Sequence, residues 1–200
     1  MLRYFRGKNR DAGTPRNAEN TMTHTDGRDH VDGILAQWAE QRPSLNASSM
    51  AIFGRLARLS KHCEKARAEA LAPFGFKEGE FDVLATLRRA GPPYTLSPTQ
   101  LYRSLMVTSG AMTNRLNRLE TMGWVNRLPN LDDRRGMVVQ LTPQGVKIVD
   151  EAALVHVETQ ELILGGLSGP EREQLASLLK KSLLALPGEE IAEESLGETE

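Results

Sequence analysis

Apolar residues recur every three or four positions along most of this chain, and the period shortens to two over one stretch. Ile34, Leu35 and Trp38 mark a first helix from about Val31 to Gln41, which Arg42-Pro43 ends. Met50, Phe53, Leu56, Ala57 and Ser60 share one stripe of a long amphipathic helix over Ser48 to Ala72. Pro73, Gly75 and Gly79 break the pattern. A third helix over Gly79 to Ala90 carries Phe81, Leu84, Ala85 and Leu87, and Gly91-Pro92-Pro93 stops it. Ser97-Pro98-Thr99-Gln100 is a helix start: a capping serine, a proline in the first turn and a glutamine that can complete a capping box. That helix ends near Leu105. The next starts near Thr108 and stops at Gly123.

Trp124 to Leu128 and Met137 to Leu141 read as strands flanking the loop Pro129 to Gly136. Thr142-Pro143 opens a long helix towards Leu164 with Val146, Val149, Ala152 and Ala153 facing inward. Ser168 and Pro170 start a last helix bearing Leu175, Leu178, Leu179 and Leu183, which Pro187-Gly188 ends. The expected fold is mainly α with a small β-hairpin wing, a winged helix-turn-helix. Residues 1–29 read as disordered or an extension, 30–72 as N-terminal helices, 73–145 as the winged helix-turn-helix, 146–187 as C-terminal helices and 188–200 as an acidic tail.

Composition narrows the function. No apolar run reaches the roughly 20 residues a bilayer requires, and the amino end lacks a signal-peptide core, so a cytoplasmic protein with no membrane partner is expected. The net charge of −1 does not favour nucleic acid, but its distribution does. Between Arg103 and Arg135 stand six basic residues against three acidic ones, while the last twelve residues hold six glutamates. The single cysteine, Cys63, fits a reducing compartment, and the four histidines lack zinc-site spacing. No cofactor is expected. There is no phosphate-cradling glycine loop, no Ser/His/Asp order and no defined carboxylate pair, so an enzyme is not expected.

On a helical wheel of the Thr108–Met122 segment, Met112, Leu116 and Leu119 fall on one side. Gly110, Thr113, Asn114, Asn117 and Arg118 fall on the other, with Ser109 beside them at the helix start. Asparagine and arginine can hydrogen-bond base edges, the threonine methyl can touch thymine, and Gly110 would let the backbone approach a phosphate. In the loop, Arg135 is expected to enter the minor groove, with Asp133 orienting it and Arg134 meeting phosphate. A solvated helix face and a solvated hairpin loop are the plain alternatives.

The run Asp133-Arg134-Arg135-Gly136, followed by Leu141-Thr142-Pro143-Gln144-Gly145 and preceded by Asn117-Arg118-Leu119-Glu120, resembles the MarR family of winged-helix transcriptional regulators. The resemblance spans about Ile34 to Leu186. It implies a homodimer held by the terminal helices, a pseudo-palindromic double-stranded DNA operator at which the protein acts as a repressor, and control by a small ligand or an oxidant. Trp38, Asp82 and Arg115 follow the order of residues in a urate-responsive branch. That likeness implies a small anionic or aromatic effector which stacks on Trp38, binds Arg115 and repels Asp82. Arg115 lies at the edge of the apolar face, where a charge needs a partner, and Asp82 is the expected one, either as a structural pair tying the helix to the scaffold or as a pair that an anionic effector displaces. The alternative regulator is an oxidant sensor using Cys63, flanked by Lys61, His62 and Lys65.

Overall fold

The computed structural model describes residues 27–105, 108–130 and 136–187. They form, in order, α1 (His30–Gln41), α2 (Ser48–Leu71), a 3-10 turn (Ala72–Phe74), α3 (Glu80–Arg89), β1 (Thr95–Leu96), α4 (Pro98–Leu105), α5 (Ser109–Thr121), β2 (Val125–Pro129), β3 (Met137–Leu141), α6 (Pro143–Ile163) and α7 (Gly169–Leu184). The chain divides into two compact units, Met1–Leu56 and Ala57–Glu200, with α2 running through the boundary. The expected disorder of residues 1–26 and of the tail 188–200 lies outside the described residues.

In the first unit, Asp29 and Asp32 cap α1 reciprocally: the Asp32 N–H donates to Asp29 Oδ1 at 3.0 Å and the Asp29 N–H to Asp32 Oδ2 at 2.8 Å. Arg55 on α2 closes over both carboxylates, at 2.8 Å to Asp29 and 2.6 Å to Asp32. Hydrogen bonding from the Asp32 N–H, with the Arg55 guanidinium assisting, lowers the Asp29 pKa below its ordinary value. Val31 is buried where α1 meets Gly54; a Cβ on that glycine would stand 3.1 Å from Val31 Cγ1, so a small residue there permits the close packing. Phe53, on the apolar stripe of α2 that the pattern marks, is 70% exposed.

In the second unit, α3, α4 and α5 surround one apolar core with the sheet and α6. Val83, Leu84, Leu87, Leu101, Leu119 and Val139 are fully enclosed there. The helix starts are capped as their sequences imply. Ser97 Oγ accepts from the Gln100 N–H while Gln100 Oε1 accepts from the Ser97 N–H, and Thr108 caps α5 by accepting from the Ala111 N–H. The sheet has three antiparallel strands in the order β1-β3-β2, with Thr95 opposite Gln140 and Val125 opposite Leu141. The third strand, β1, was not expected; two residues between a proline pair and a helix cap are too short for a periodic signal.

Gly123 leaves α5 in the left-handed conformation at φ 73°. Thr142 then ties the start of α6 to that turn: its hydroxyl donates to the Gly123 carbonyl at 2.8 Å and accepts from the Gly145 N–H at 2.9 Å. Gly145 sits directly against the Trp124 carbonyl, with no room for a side chain. On α6, Val149 and Ala152 are buried and Val146 and Ala153 half-buried, as the pattern implies. On α7 no residue is buried, and Leu178, Leu179 and Leu183 are exposed.

Candidate nucleic-acid interface

The helix α5 is seated by Met112, Leu116 and Leu119, all buried in the core. Ser109, Gly110, Thr113, Asn114 and Asn117 are consequently exposed together along its opposite side. Among the described residues, none outside the helix's own backbone and the chain neighbours comes within 4 Å of a Cβ placed on Gly110, so that side of the helix start is open. The Thr113 hydroxyl donates to the Ser109 carbonyl at 2.9 Å. The wing strands β2 and β3 lie beside this surface in sequence and pair from Val125–Leu141 to Pro129–Met137. The Asn130 N–H donates to the Gly136 carbonyl at 2.9 Å, closing the base of the loop. Asp133, Arg134 and Arg135, expected at its tip, lie outside the described residues.

Both flanks of α5 are tied by ionic contacts. On one, Arg118 Nε donates to Glu80 Oε1 at 2.7 Å and its terminal nitrogen to the Gly75 carbonyl at 2.7 Å. Glu80 is buried, its side chain 3% exposed, and its other oxygen accepts from the Lys77 N–H at 2.8 Å. Arg118, expected on the reading face, is thus engaged by the scaffold. On the other flank, Arg127 of β2 donates to Asn117 Oδ1 and lies 3.7 Å from Glu120 Oε2.

The expected Asp82–Arg115 pair is not formed. Asp82 takes a two-bonded partner on α2 instead, Arg67, at 2.9 and 3.1 Å. Arg115 lies across the backbone of Gly79, where a Cβ would come within 2.6 Å of its Nε, and Gly79 has a φ of 74°. The sequence argument fails here because Arg115 reaches past the first turn of α3 to the glycine before it, a surface no wheel displays. Trp38 stands on α1, 37% exposed, in the first unit.

Arg67, Glu80 and Arg127 were not singled out from the sequence. For Glu80 a signal existed: it heads the stripe Glu80, Val83, Leu84, Leu87, and a carboxylate on an apolar stripe requires a buried partner. Arg67 and Arg127 gave none, since exposed-looking arginines on amphipathic segments are ordinary.

A cavity of about 1100 Å³ opens between α2, α6 and the segment from Phe76 to Gly79, with Cys63, Arg67, His156 and Gln160 in its walls. Cys63 is half-buried there. His156 packs on the Phe81 ring at 5.1 Å, and its Nδ1 is buried with no hydrogen-bond partner among the described residues. Burial, aided by the nearby Arg67 charge, lowers the His156 pKa, and Asp82 partly opposes the shift. Among the described residues no helix is long and apolar enough to cross a membrane.

A profile described as the MarR family matches residues 76–137, which hold α3 to the start of β3. The regulator PecS of Dickeya dadantii is 38% identical over 149 residues, covering 74% of this chain and 90% of that protein. The multiple antibiotic resistance protein MarR of Escherichia coli K12 is 35% identical over 133 residues, covering 66% of this chain and 90% of its own. A crystal structure of a mutant E. coli MarR complexed with operator DNA superposes with a TM-score of 0.60 at 33% identity, over 70% of this chain and 99% of that one. These matches run over nine tenths or more of each of those proteins, and the chain belongs to the MarR family of transcriptional regulators.

Proposed function

We propose that the protein is a ligand-responsive repressor that binds a pseudo-palindromic operator as a homodimer. The observation that carries the reading is the face of α5, where Ser109, Gly110, Thr113, Asn114 and Asn117 stand exposed while the opposite face is locked into the core. Short polar side chains on a rigid helix suit the donor and acceptor pattern of a major groove. The arginines of the wing, Arg134 and Arg135 with Asp133 orienting the latter, then meet phosphate and minor groove. Leu178, Leu179, Leu183 and Leu184 on α7, and Leu154, Val157 and Leu162 on α6, leave apolar surface exposed that a second copy would cover.

The effector of this reading is a small anionic or aromatic molecule, urate or a related purine, using Trp38, Asp82 and Arg115. The Asp82–Arg67 bond supports a switch of this kind, because an anion that takes the Arg67 guanidinium leaves Asp82 uncompensated.

The decisive experiment selects duplexes from a randomised pool with the purified protein and measures their affinity by fluorescence anisotropy. A palindromic sequence should be enriched, affinity should fall steeply with salt, and Arg135→Ala should weaken binding. Failure to enrich any sequence at low ionic strength refutes the reading. Urate added to the bound complex should release it; no release at millimolar urate removes the effector assignment alone.

A further inference from the structure

We infer that Glu80 is a specificity-determining positioning residue: its buried carboxylate withholds Arg118 from DNA phosphate and thereby fixes how α5 presents its reading face. The inference rests on the proposed DNA-binding function. Arg118 belongs, by its place on the helix, beside Asn114 and Asn117, and a free guanidinium there would find phosphate on any duplex. The structure gives it different partners. Its Nε bonds Glu80 Oε1 at 2.7 Å and a terminal nitrogen bonds the Gly75 carbonyl at 2.7 Å.

The carboxylate that holds it is one of only two buried polar or charged residues in the described chain, the other being Thr86. Burying an unpaired carboxylate is costly, so Glu80 keeps its hold unless Arg118 is replaced. Glu80 is fixed in turn: its second oxygen accepts from the Lys77 N–H, and its helix packs through Phe81, Val83 and Leu84. Arg115, one turn earlier on α5, lies on Gly79, the neighbour of Glu80. Two arginines three residues apart thus pin one flank of α5 to a single short segment. A sequence-blind charge is converted into a tether, which favours reading by the asparagines over attraction to any backbone.

The test uses the full-length protein, a duplex selected by the wild type from a randomised pool, and a random-sequence duplex. Glu80→Gln keeps the shape and an acceptor for Lys77 but removes the charge. It should free Arg118 to reach phosphate. The slope of log affinity against log salt should then steepen by about 0.9 per protomer. The ratio of selected to random affinities should drop about tenfold. Adding Arg118→Ala to Glu80→Gln should return the slope to the wild-type value, which a merely loosened fold would not do.

Arg118→Ala alone should lower the ratio without changing the slope, and this variant decides the matter if circular dichroism shows Glu80→Gln to be unfolded. A slope that becomes shallower in Arg118→Ala means that Arg118 already contacts phosphate, and overturns the inference. So does an unchanged slope in folded Glu80→Gln. A wild type that enriches no sequence is a different failure, because it removes the DNA-binding reading and the inference with it.

Discussion

Replacing Gly145 by alanine isolates the junction on which the wing and α6 both depend. The added carbon would overlap the Trp124 carbonyl oxygen, stand 3.0 Å from the carbonyl carbon and lie 3.2 Å from Leu141 Cδ2. Ordinary carbon contacts begin near 3.5 Å, so α6 must retreat by roughly 1 Å from the start of β2. The obstacle is backbone, not the far end of a flexible side chain. Overpacking of this kind costs about 1–3 kcal/mol. The retreat also strains the Gly145 N–H bond to Thr142 Oγ1, a cap worth about 1 kcal/mol. The expected total of about 2–4 kcal/mol lowers the melting temperature by about 5–15 °C for a chain of this size.

Gly110→Ala is the matched control. It has open space around the Cβ, so it should raise the melting temperature by about 1–3 °C through helix propensity alone. Far-UV circular dichroism melts of the two variants beside the wild type are sufficient. Gly145→Ala melting within 1 °C of the wild type, or below it by no more than Gly110→Ala differs from it, would refute the steric argument.

Gly79→Ala should displace Arg115 and strain a backbone at φ 74°, costing about 1–2 kcal/mol in a thermal melt and weakening binding to the selected duplex. His156 binds its proton less readily folded than unfolded, so the unfolded chain takes up the proton first as pH falls. Stability should therefore be complete above pH 6.5 and decline as pH falls below that value, and His156→Gln should flatten this part of the melting-temperature profile. Leu179→Glu should convert the proposed dimer to a monomer in sedimentation velocity at micromolar protein, with no loss of helical signal, because Leu179 is exposed on α7.

Much of the fold was legible because its signals are local. Proline, threonine and serine at the helix starts, glycine at the end of α5 and the apolar spacing of α3, α5 and α6 each act within one turn of the chain. The exposed polar face of α5 was legible for the same reason. The partners of the charged residues were not. Arg118 reaches Glu80 across 38 positions and Arg67 reaches Asp82 across 15, and neither pairing follows from periodicity. A wheel places Arg118 on the polar face correctly and still misses that its guanidinium turns back to the scaffold. The exposure of Phe53 and the α7 leucines shows the complementary limit, since an apolar stripe predicts that something will cover it without saying what.

The Arg127 contact has a consequence for the code that α5 could read. Asn117 has one amide oxygen and one amide nitrogen, and Arg127 takes one of the two lone pairs of that oxygen. Held in this way, the side chain keeps two hydrogens to give and one lone pair with which to accept. In a major groove its amide nitrogen would meet N7 of adenine or of guanine equally well, and the two-point grip that singles out adenine would depend on that second lone pair alone. The orientation that Arg127 imposes on the amide would therefore set whether that position of an operator is written as adenine or only as purine.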